Sequence, residues 1–304
     1  MCTVQNILRV IPAWKIIIGW CAIATSTILA SICAWWGIIE NFHEGWFYQS
    51  LSKNIGLMLV QYLSFSLIFI ILGLISVRFP YIGTVLHICL AIWSLSFFKM
   101  NSASILIASF LAVLAVMYWV GHIVPIKAIY LIMISVPLLI VIGFGLEPMI
   151  RVAGRVNDGY LGIRFVEAKG DNLYWAPNGP GWPSTFVSWE EALRISAYLS
   201  EDGTFLEATP QNIWRLPTVE EAVKSQHRHG SNSVGIWDKK LRRATYEVKP
   251  DKESPLWNPY SKVIYYWTAT TLDENSKQAY IICYNGIVVA RSKTNSRISF
   301  RAVK

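Results

Sequence analysis

The stretch IKAIYLIMISVPLLIVIGFGL, residues 126–146, decides how this chain is divided. It contains no acidic residue, and as a helix it is long enough to cross about 30 Å of hydrocarbon. Charged residues are scarce before it and common after it. Residues 1–150 hold six Lys or Arg and three Asp or Glu, whereas residues 151–304 hold 21 and 16. We therefore predict a transmembrane domain over residues 1–150 and a soluble domain over residues 151–304.

Four further apolar stretches precede this one, and each has the length of a membrane-spanning helix. The sequence thus predicts an all-α transmembrane bundle of about five helices, with the lipid bilayer as its partner. His87 lies deep in one predicted span and Gln61 in another, and we expect both side chains to hydrogen-bond within the bundle rather than to serve transport. The four stretches are residues 15–39, 56–77, 81–98 and 103–121.

Positive residues between the spans predict the sidedness of the chain. Cytoplasmic loops carry an excess of Lys and Arg. Arg9 and Lys15 precede the first stretch, and Arg78 and Lys127 lie in the second and fourth connections. With the amino terminus inside, five crossings place residues 151–304 outside the cytoplasm, although Lys99, Arg151 and Arg155 count against this orientation. We expect an integral protein of the cell (inner) membrane, of bacterial type, with an extracytoplasmic carboxy-terminal domain.

The second half has the pattern of an α+β domain. Ser188 and Thr218 are each followed three residues later by Glu, which is the signature of a capping box at a helix start. Asn285-Gly286 between two alternating apolar runs predicts a β-hairpin. These signals predict helices near 189–200 and 218–228, strands at 158–167, 171–177, 262–270 and 278–293, and a last strand at 297–304 that completes a three- or four-stranded meander.

Residues 231–261 form a long stretch with little periodicity, and such stretches in compact domains are usually functional or disordered. Trp237 and Trp257 are the aromatic residues in it that we predict to contact a ligand, because exposed aromatic rings give large contact areas. Asp238, Asn258 and Tyr260 lie beside them in sequence and would orient a polar ligand. Arg215 precedes the second helix start, and its guanidinium fork would either fix a loop or contact the ligand.

The net charge of +8 argues weakly for an anionic partner. The longest basic run, KKLRR at 239–243, is too short to indicate nucleic-acid binding.

The segments VSWEEALRISAYLSEDG, WRLPTVEEA, YYWTAT, AYIICYNGIVVARSK and ISFRAVK, taken in this order, resemble the Lcl C-terminal-like domain family. That family is related to the formylglycine-generating (sulfatase-modifying) enzyme domains. The resemblance covers residues 158–304 and none of the membrane half. It implies a C-type-lectin-like fold, in which a long irregular loop region forms a binding face.

The enzymatic relatives need metal ligands that this sequence does not offer in the same pattern. The copper-dependent relatives use two cysteines, whereas Cys283 is the only cysteine in residues 151–304. The iron-dependent relatives need histidines, and His227 and His229 are two residues apart, a spacing that does not share a helix face. We therefore predict no catalytic residue, no metal and no cofactor.

The sequence leads us to expect a membrane-anchored binding module that recognises a carbohydrate or a peptide-like protein ligand through residues 231–261. The alternative is an oxidoreductase of the formylglycine-generating type, which would depend on Cys283 and a metal. A third possibility is a surface-displayed binder whose loop face varies among relatives.

Overall fold

The computed structural model describes residues 12–160, 162–168, 171–181, 186–273 and 276–304. Arg9, Trp182 and part of the Pro- and Gly-rich loop at 177–184 lie outside these residues. The chain divides into two compact units. The helical unit comprises the chain up to Phe42 together with Ile55–Pro148, and the α+β unit comprises His43–Asn54 together with Met149–Lys304.

The first half of the described chain is helical, as predicted. Four of its helices, α1, α4, α5 and α6, are long and apolar enough to cross a membrane, which is compatible with an integral membrane protein. The helices are α1 (Ala13–Glu44), α2 (Leu51–Leu57), α3 (Ser64–Arg78), α4 (Pro80–Phe97), α5 (Ser102–Val120) and α6 (Ile126–Ala153).

The apolar stretch at 56–77 is not the single helix that its composition predicts. A π-helical turn at Met58–Tyr62 follows α2, and the chain then bends by 66° into α3. Such a turn interrupts the regular hydrogen-bond ladder and is a common cause of sharp kinks. Gly37 of α1 lies so close to the backbone carbonyl of Tyr62 that a Cβ atom would clash with it, so a glycine is required there.

Some polar side chains inside the helical unit hydrogen-bond to a neighbouring helix or within their own helix. The Tyr118 hydroxyl donates to Ser26 Oγ at 2.9 Å, and Ser66 Oγ donates to the Ala30 carbonyl at 2.8 Å. His87 lies 2.8 Å from the Gly83 carbonyl through Nδ1, which confirms its expected hydrogen bond within the bundle. Gln61, in contrast, is exposed.

The α+β unit contains two short helices and several small antiparallel sheets. Ser188 and Thr218 are the N-caps of its helices, as the capping signals predict. Both helices end earlier than expected, because α7 stops at Tyr198 and α8 at Lys224. The elements are β1 (Arg164–Ala168), β2 (Asp171–Trp175), α7 (Trp189–Tyr198), α8 (Val219–Lys224), β3 (His227–Arg228), β4 (Ser231–Asn232), β5 (Ile236–Asp238), β6 (Arg243–Thr245), β7 (Tyr265–Thr271), β8 (Gln278–Cys283) and β9 (Val288–Ser292).

The meander has three strands in the order β7-β8-β9, all antiparallel. Residues 297–304 do not add a fourth strand to it. Their backbone instead forms single bridges to several partners: Ile298 to Val187, Ser299 to Tyr266, and Val303 to both Trp175 and Arg215. The carboxy terminus therefore ties separate elements together.

Arg301 shows why this last segment cannot lie on a sheet surface. Its side chain is fully buried, and Nε donates to the Ala176 carbonyl at 2.9 Å. Nη1 donates to the carbonyls of Leu256 and Pro255. Burial lowers the pKa of Arg301 to about 10. The guanidinium thus holds three chain segments together at the centre of the α+β unit.

Candidate functional site

The candidate site lies beside the short hairpin formed by β5 and β6. Trp237 pairs with Ala244 and Asp238 with Arg243 across this hairpin. Asp238 Oδ1 accepts hydrogen bonds from the backbone N–H groups of Lys240 at 2.8 Å and Leu241 at 2.9 Å. The Asp238 carboxylate therefore fixes the turn at the hairpin tip, a use typical of Asp in turns.

An open cleft of about 340 Å³, which we call the aromatic cleft, lies next to Trp237. Its apolar part consists of Trp237, Tyr280, Val219 and Leu272, while Lys239, Arg242, Glu220 and three threonines supply polar groups. The Trp237 ring is half-buried and meets the ring of Tyr280 edge to face, with centroids 5.3 Å apart. Clefts with an apolar surface and a few polar groups are typical binding sites for small ligands.

The start of α8 forms one wall of this cleft, and it is held rigidly. Thr218 Oγ1 accepts from the Glu221 backbone N–H at 3.2 Å, and Glu221 Oε2 accepts from the Thr218 backbone N–H at 2.7 Å. The backbone N–H of Val219 donates to Thr270 Oγ1 of β7 at 3.0 Å. The wall is therefore anchored to the meander before any ligand binds.

Arg215 supports this wall through an ion pair. Its two Nη atoms donate to the two carboxylate oxygens of Glu221 at 2.7 and 2.6 Å. Burial alone would raise the pKa of Glu221, but the hydrogen bonds from Arg215 and Thr218 outweigh it and hold this pKa below its ordinary value. Arg215 is absent from the cleft lining, so the geometry favours its structural role.

The charged side chains of the cleft are mostly solvated. Lys239 Nζ lies 4.0 Å from the Glu220 carboxylate, and Arg242 lies 3.3 Å from Asp273 outside the cleft. Exposed pairs of this kind contribute at most about 1 kcal/mol, so a ligand can displace them at little cost.

Trp257 does not line the aromatic cleft. Because its ring is buried, it cannot make the ligand contact that the sequence led us to expect. Only 1% of its surface is exposed, and its ring stacks on Tyr266 in the core of the unit. The chain around it, from Pro250 to Trp257, is buried too, apart from the half-buried Pro255. The stretch 231–261 is therefore two different segments: an exposed hairpin region followed by a buried one.

Tyr260 lines a different cleft from Trp237, and Asn258 lines neither cleft. Asn258 Oδ1 accepts from the Tyr260 backbone N–H at 2.9 Å and so fixes a local turn. Tyr260 lines an open cleft of about 220 Å³ together with Trp46 and Tyr48. None of the residues lining this cleft lines the aromatic cleft, so the structure does not bring the five candidate residues together on one face.

Sequence reasoning missed the segment His43–Asn54, which reads as a short loop between two apolar helices but belongs to the α+β unit. Asn54 holds it in shape: its side chain accepts from the Tyr48 N–H at 2.9 Å and donates to the Tyr48 carbonyl at 2.8 Å. Its aromatic residues, Trp46, Phe47 and Tyr48, did not reveal this, because aromatic residues beside a predicted span are also expected at a membrane interface.

It also missed a buried ionic cluster. Arg151 Nη1 and Arg155 Nε each lie 3.1 Å from Asp251 Oδ1, and Asp251 is 1% exposed. Lys252 is buried next to it and donates to the Ser261 carbonyl. Burial lowers the pKa of Lys252 to about 7. Charged residues such as Asp251 and Lys252 are expected from sequence to be exposed to solvent. Only the folded structure shows that these side chains are buried.

Cys283 is buried on β8, and its Sγ lies 3.5 Å from His43 Nε2. Burial raises the pKa of this thiol to about 12. His227 is half-buried, with Nδ1 2.7 Å from the Ser225 carbonyl, whereas His229 is largely exposed and lies 3.9 Å from Glu253. The two histidines thus face different partners.

A comparison with known proteins finds no family model that matches this chain, no matching curated protein and no matching solved structure.

Proposed function

We propose that this chain is a membrane-anchored binding module, whose α+β unit takes a carbohydrate or a peptide-like ligand in the aromatic cleft. The observation that carries the proposal is the half-buried Trp237 ring, held edge to face against Tyr280 in an open cleft. A ring held in this way offers an apolar surface at little entropic cost, which suits stacking on a sugar or on an apolar side chain.

The resemblance to the Lcl C-terminal-like domains supports the same proposal. A C-type-lectin-like fold would carry its ligand on irregular loops supported by small sheets. The described α+β unit has small antiparallel sheets, two short helices and a hairpin region at 231–249 with its aromatic cleft. These features are compatible with such a fold, and binding loops are commonly positioned by a rigid scaffold.

We infer five membrane crossings from the segments of the chain that form the α+β unit. Residues 43–54 and 149–304 form one compact unit, so they lie on the same side of a membrane. The chain between them must therefore cross an even number of times. Helices α4, α5 and α6 supply three crossings, so the bent pair at 51–78 supplies the fourth and α1 the fifth.

We propose that the α+β unit faces away from the cytoplasm. With the amino terminus inside, this arrangement puts Lys15, Arg78 and Lys127 on the cytoplasmic side, where basic residues collect. A soluble domain on the outside of the membrane is well placed to bind extracellular or cell-surface ligands.

The alternative, an oxidoreductase, draws on the contact between Cys283 and His43, since a thiol and an imidazole are both ligands for soft metals. Against it, burial raises the pKa of Cys283 to about 12, and the thiolate is the form that binds metal or attacks. Binding therefore remains the function that the site supports better.

The test is a binding screen on the full-length protein in detergent micelles, with arrays of oligosaccharides and peptides as probes. For any probe retained, Trp237→Ala should weaken binding by about thirtyfold, because losing a hot-spot aromatic costs ~2 kcal/mol. Trp237→Phe should restore part of the affinity. Phe205→Ala, which removes an exposed ring outside the cleft, is the matched control and should leave binding unchanged. Equal binding by the wild type and Trp237→Ala would remove the aromatic cleft from consideration.

A further inference from the structure

A third open cleft, of about 300 Å³, lies on the β5–β6 hairpin and the β8–β9 turn. We call it the basic cleft, because its charged lining residues are Arg242, Arg243 and Lys249 and it is lined by no carboxylate. Arg242 also lines the aromatic cleft, so the two clefts adjoin at this residue.

The cations of the basic cleft are only partly neutralised. Arg242 pairs with Asp273 at 3.3 Å, and both side chains are more than half exposed. Among the described residues, no carboxylate lies within ion-pair distance of the side chains of Arg243 or Lys249. Three cations gathered around a concave surface, two of them without a counter-charge among the described residues, favour an anion in that position.

A hydrogen bond and a close backbone contact fix the walls of the basic cleft. The Tyr246 hydroxyl donates to the Gly286 carbonyl at 2.9 Å and joins the two hairpins. Gly286 has a φ of 81°, and a Cβ atom at this position would lie 2.5 Å from the Tyr246 ring. Glycine is therefore required for this close approach, which sets the distance between Arg243 on one wall and the β8–β9 turn on the other.

The donors suit a tetrahedral oxyanion. Two guanidinium groups present forks of N–H donors that match phosphate oxygens, and a lysine adds a mobile point charge. Ile287, which is exposed at the edge of the cleft, offers an apolar surface for the group that carries the anion. A single carboxylate would leave part of this positive charge uncompensated.

We propose that the basic cleft binds the phosphoryl group of a phosphate ester, either a soluble one or a lipid headgroup. This site does not depend on a ligand in the aromatic cleft. Where both clefts are filled by one ligand, the phosphoryl group lies against Arg243 and Lys249, and the neutral part extends past Arg242 towards Trp237.

The experiment measures binding of inorganic pyrophosphate by titration calorimetry to the full-length protein in phosphatidylcholine nanodiscs. Arg243→Gln and Lys249→Gln should each weaken binding by about tenfold, because each removes a charge-assisted hydrogen bond. Lys240→Gln is the matched control: it removes one positive charge from the exposed turn between β5 and β6, but Lys240 lines neither cleft. It should change affinity by less than about twofold, as expected for a screened surface charge.

Arg243→Lys keeps the charge and removes the fork, so its loss should be smaller than that of Arg243→Gln. Thermal midpoints equal to that of the wild type show that each variant is folded, as expected for exposed side chains. Equal weakening by Lys240→Gln, or no binding of pyrophosphate to the wild type, would overturn the proposal.

A second set of nanodiscs, which contain phosphatidylglycerol, distinguishes a lipid headgroup from a soluble ester as the source of the phosphoryl group. If the cleft takes a headgroup, the anionic lipid competes and raises the apparent Kd for pyrophosphate in the wild type, but not in Arg243→Gln. If it takes a soluble ester, the Kd of the wild type is the same in both kinds of disc once salt screens the lipid charge. Either result supports phosphoryl binding in the basic cleft and identifies the kind of molecule that carries the phosphoryl group.

Discussion

The indole ring of Trp257 lies flat on the ring of Tyr266, with centroids 4.0 Å apart and an angle of 7° between the planes. The indole Nε1 points to Gln226 Oε1 at 3.4 Å. This pair joins the irregular stretch at 250–257 to strand β7 inside the core of the α+β unit. It separates Trp257 from Trp237, although both lie in a stretch that sequence reasoning treats as one loop.

We therefore expect opposite effects when these two tryptophans are replaced. Trp257→Ala should lower the free energy of unfolding by about 3–5 kcal/mol, because it leaves a large cavity in the core. Trp237→Ala should lower it by no more than about 1–2 kcal/mol, because part of its ring is already in water. Thermal unfolding of the full-length protein in detergent, followed by near-ultraviolet circular dichroism, measures both. Equal losses would place the two rings in equivalent environments and contradict the assignment.

The ion pairs of Asp251 give a second prediction. Asp251→Ala should lower the free energy of unfolding by about 3–5 kcal/mol, since it leaves the buried guanidinium of Arg155 without its counter-charge. The control is Asp273→Ala, which breaks the exposed pair with Arg242 and should cost less than about 1 kcal/mol. Chemical denaturation of both variants compares them, and a mild loss for Asp251→Ala would show that these charges are solvated.

Stability should depend on pH through Lys252. In the folded protein burial lowers its pKa to about 7, from an ordinary value of 10.5. Between these values the unfolded chain binds more protons than the folded one, so stability rises with pH. We expect a rise from pH 7 to about 9, below the range where the buried Cys283 thiol, with its raised pKa, has the opposite effect.

Lys252→Met tests this dependence, because it removes the titrating group and keeps most of the apolar stem. The free energy of unfolding of this variant should be nearly independent of pH over the same range, whereas Lys240→Met, an exposed control, should retain the slope of the wild type. An unchanged slope in Lys252→Met would mean that another group causes the rise.

Cysteine labelling tests the five crossings and the sidedness. On a cysteine-free background, Gln49→Cys and Asn295→Cys should react with a membrane-impermeant maleimide added outside intact cells. Arg78→Cys should react only after the cells are opened. Protection of Gln49→Cys together with labelling of Asn295→Cys would contradict a single α+β unit on one side of the membrane.

Residue patterns predicted the parts of the fold that depend on local physics. Helix starts at Ser188 and Thr218 were predictable because an N-cap side chain satisfies a backbone N–H group within four residues. The reciprocal capping box that the sequence predicts at both starts forms at Thr218, whereas at Ser188 the structure shows only the bond from the Glu191 N–H. The Asn285-Gly286 turn was predictable because the positive φ of Gly286 suits a hairpin. Membrane-length helices were predictable from composition alone.

The candidate site was predicted only in part, because burial is decided by distant residues. Trp237 and Trp257 have similar sequence surroundings, and only the position of Tyr266 distinguishes a core ring from a cleft ring. The last segment was expected to be a strand from its alternating pattern, but Arg301 draws it into the centre by donating to three carbonyls. The break at residues 58–62 has no signal in composition, since every residue there except Gln61 is apolar or aromatic.

The membership of His43–Asn54 in the α+β unit has a consequence for biosynthesis. Within the α+β unit, the segment His43–Asn54 is synthesised first. Most of the unit follows only after the chain up to Pro148 has been made. The unit is a host domain into which the chain from Ile55 to Pro148 is inserted, so it cannot finish folding until that insertion has been synthesised. A folded α+β unit therefore indicates that the whole inserted segment has been synthesised. A nascent chain stalled before residue 149 should leave the segment His43–Asn54 unfolded and open to protease, whereas full synthesis should fold the segment and slow its cleavage.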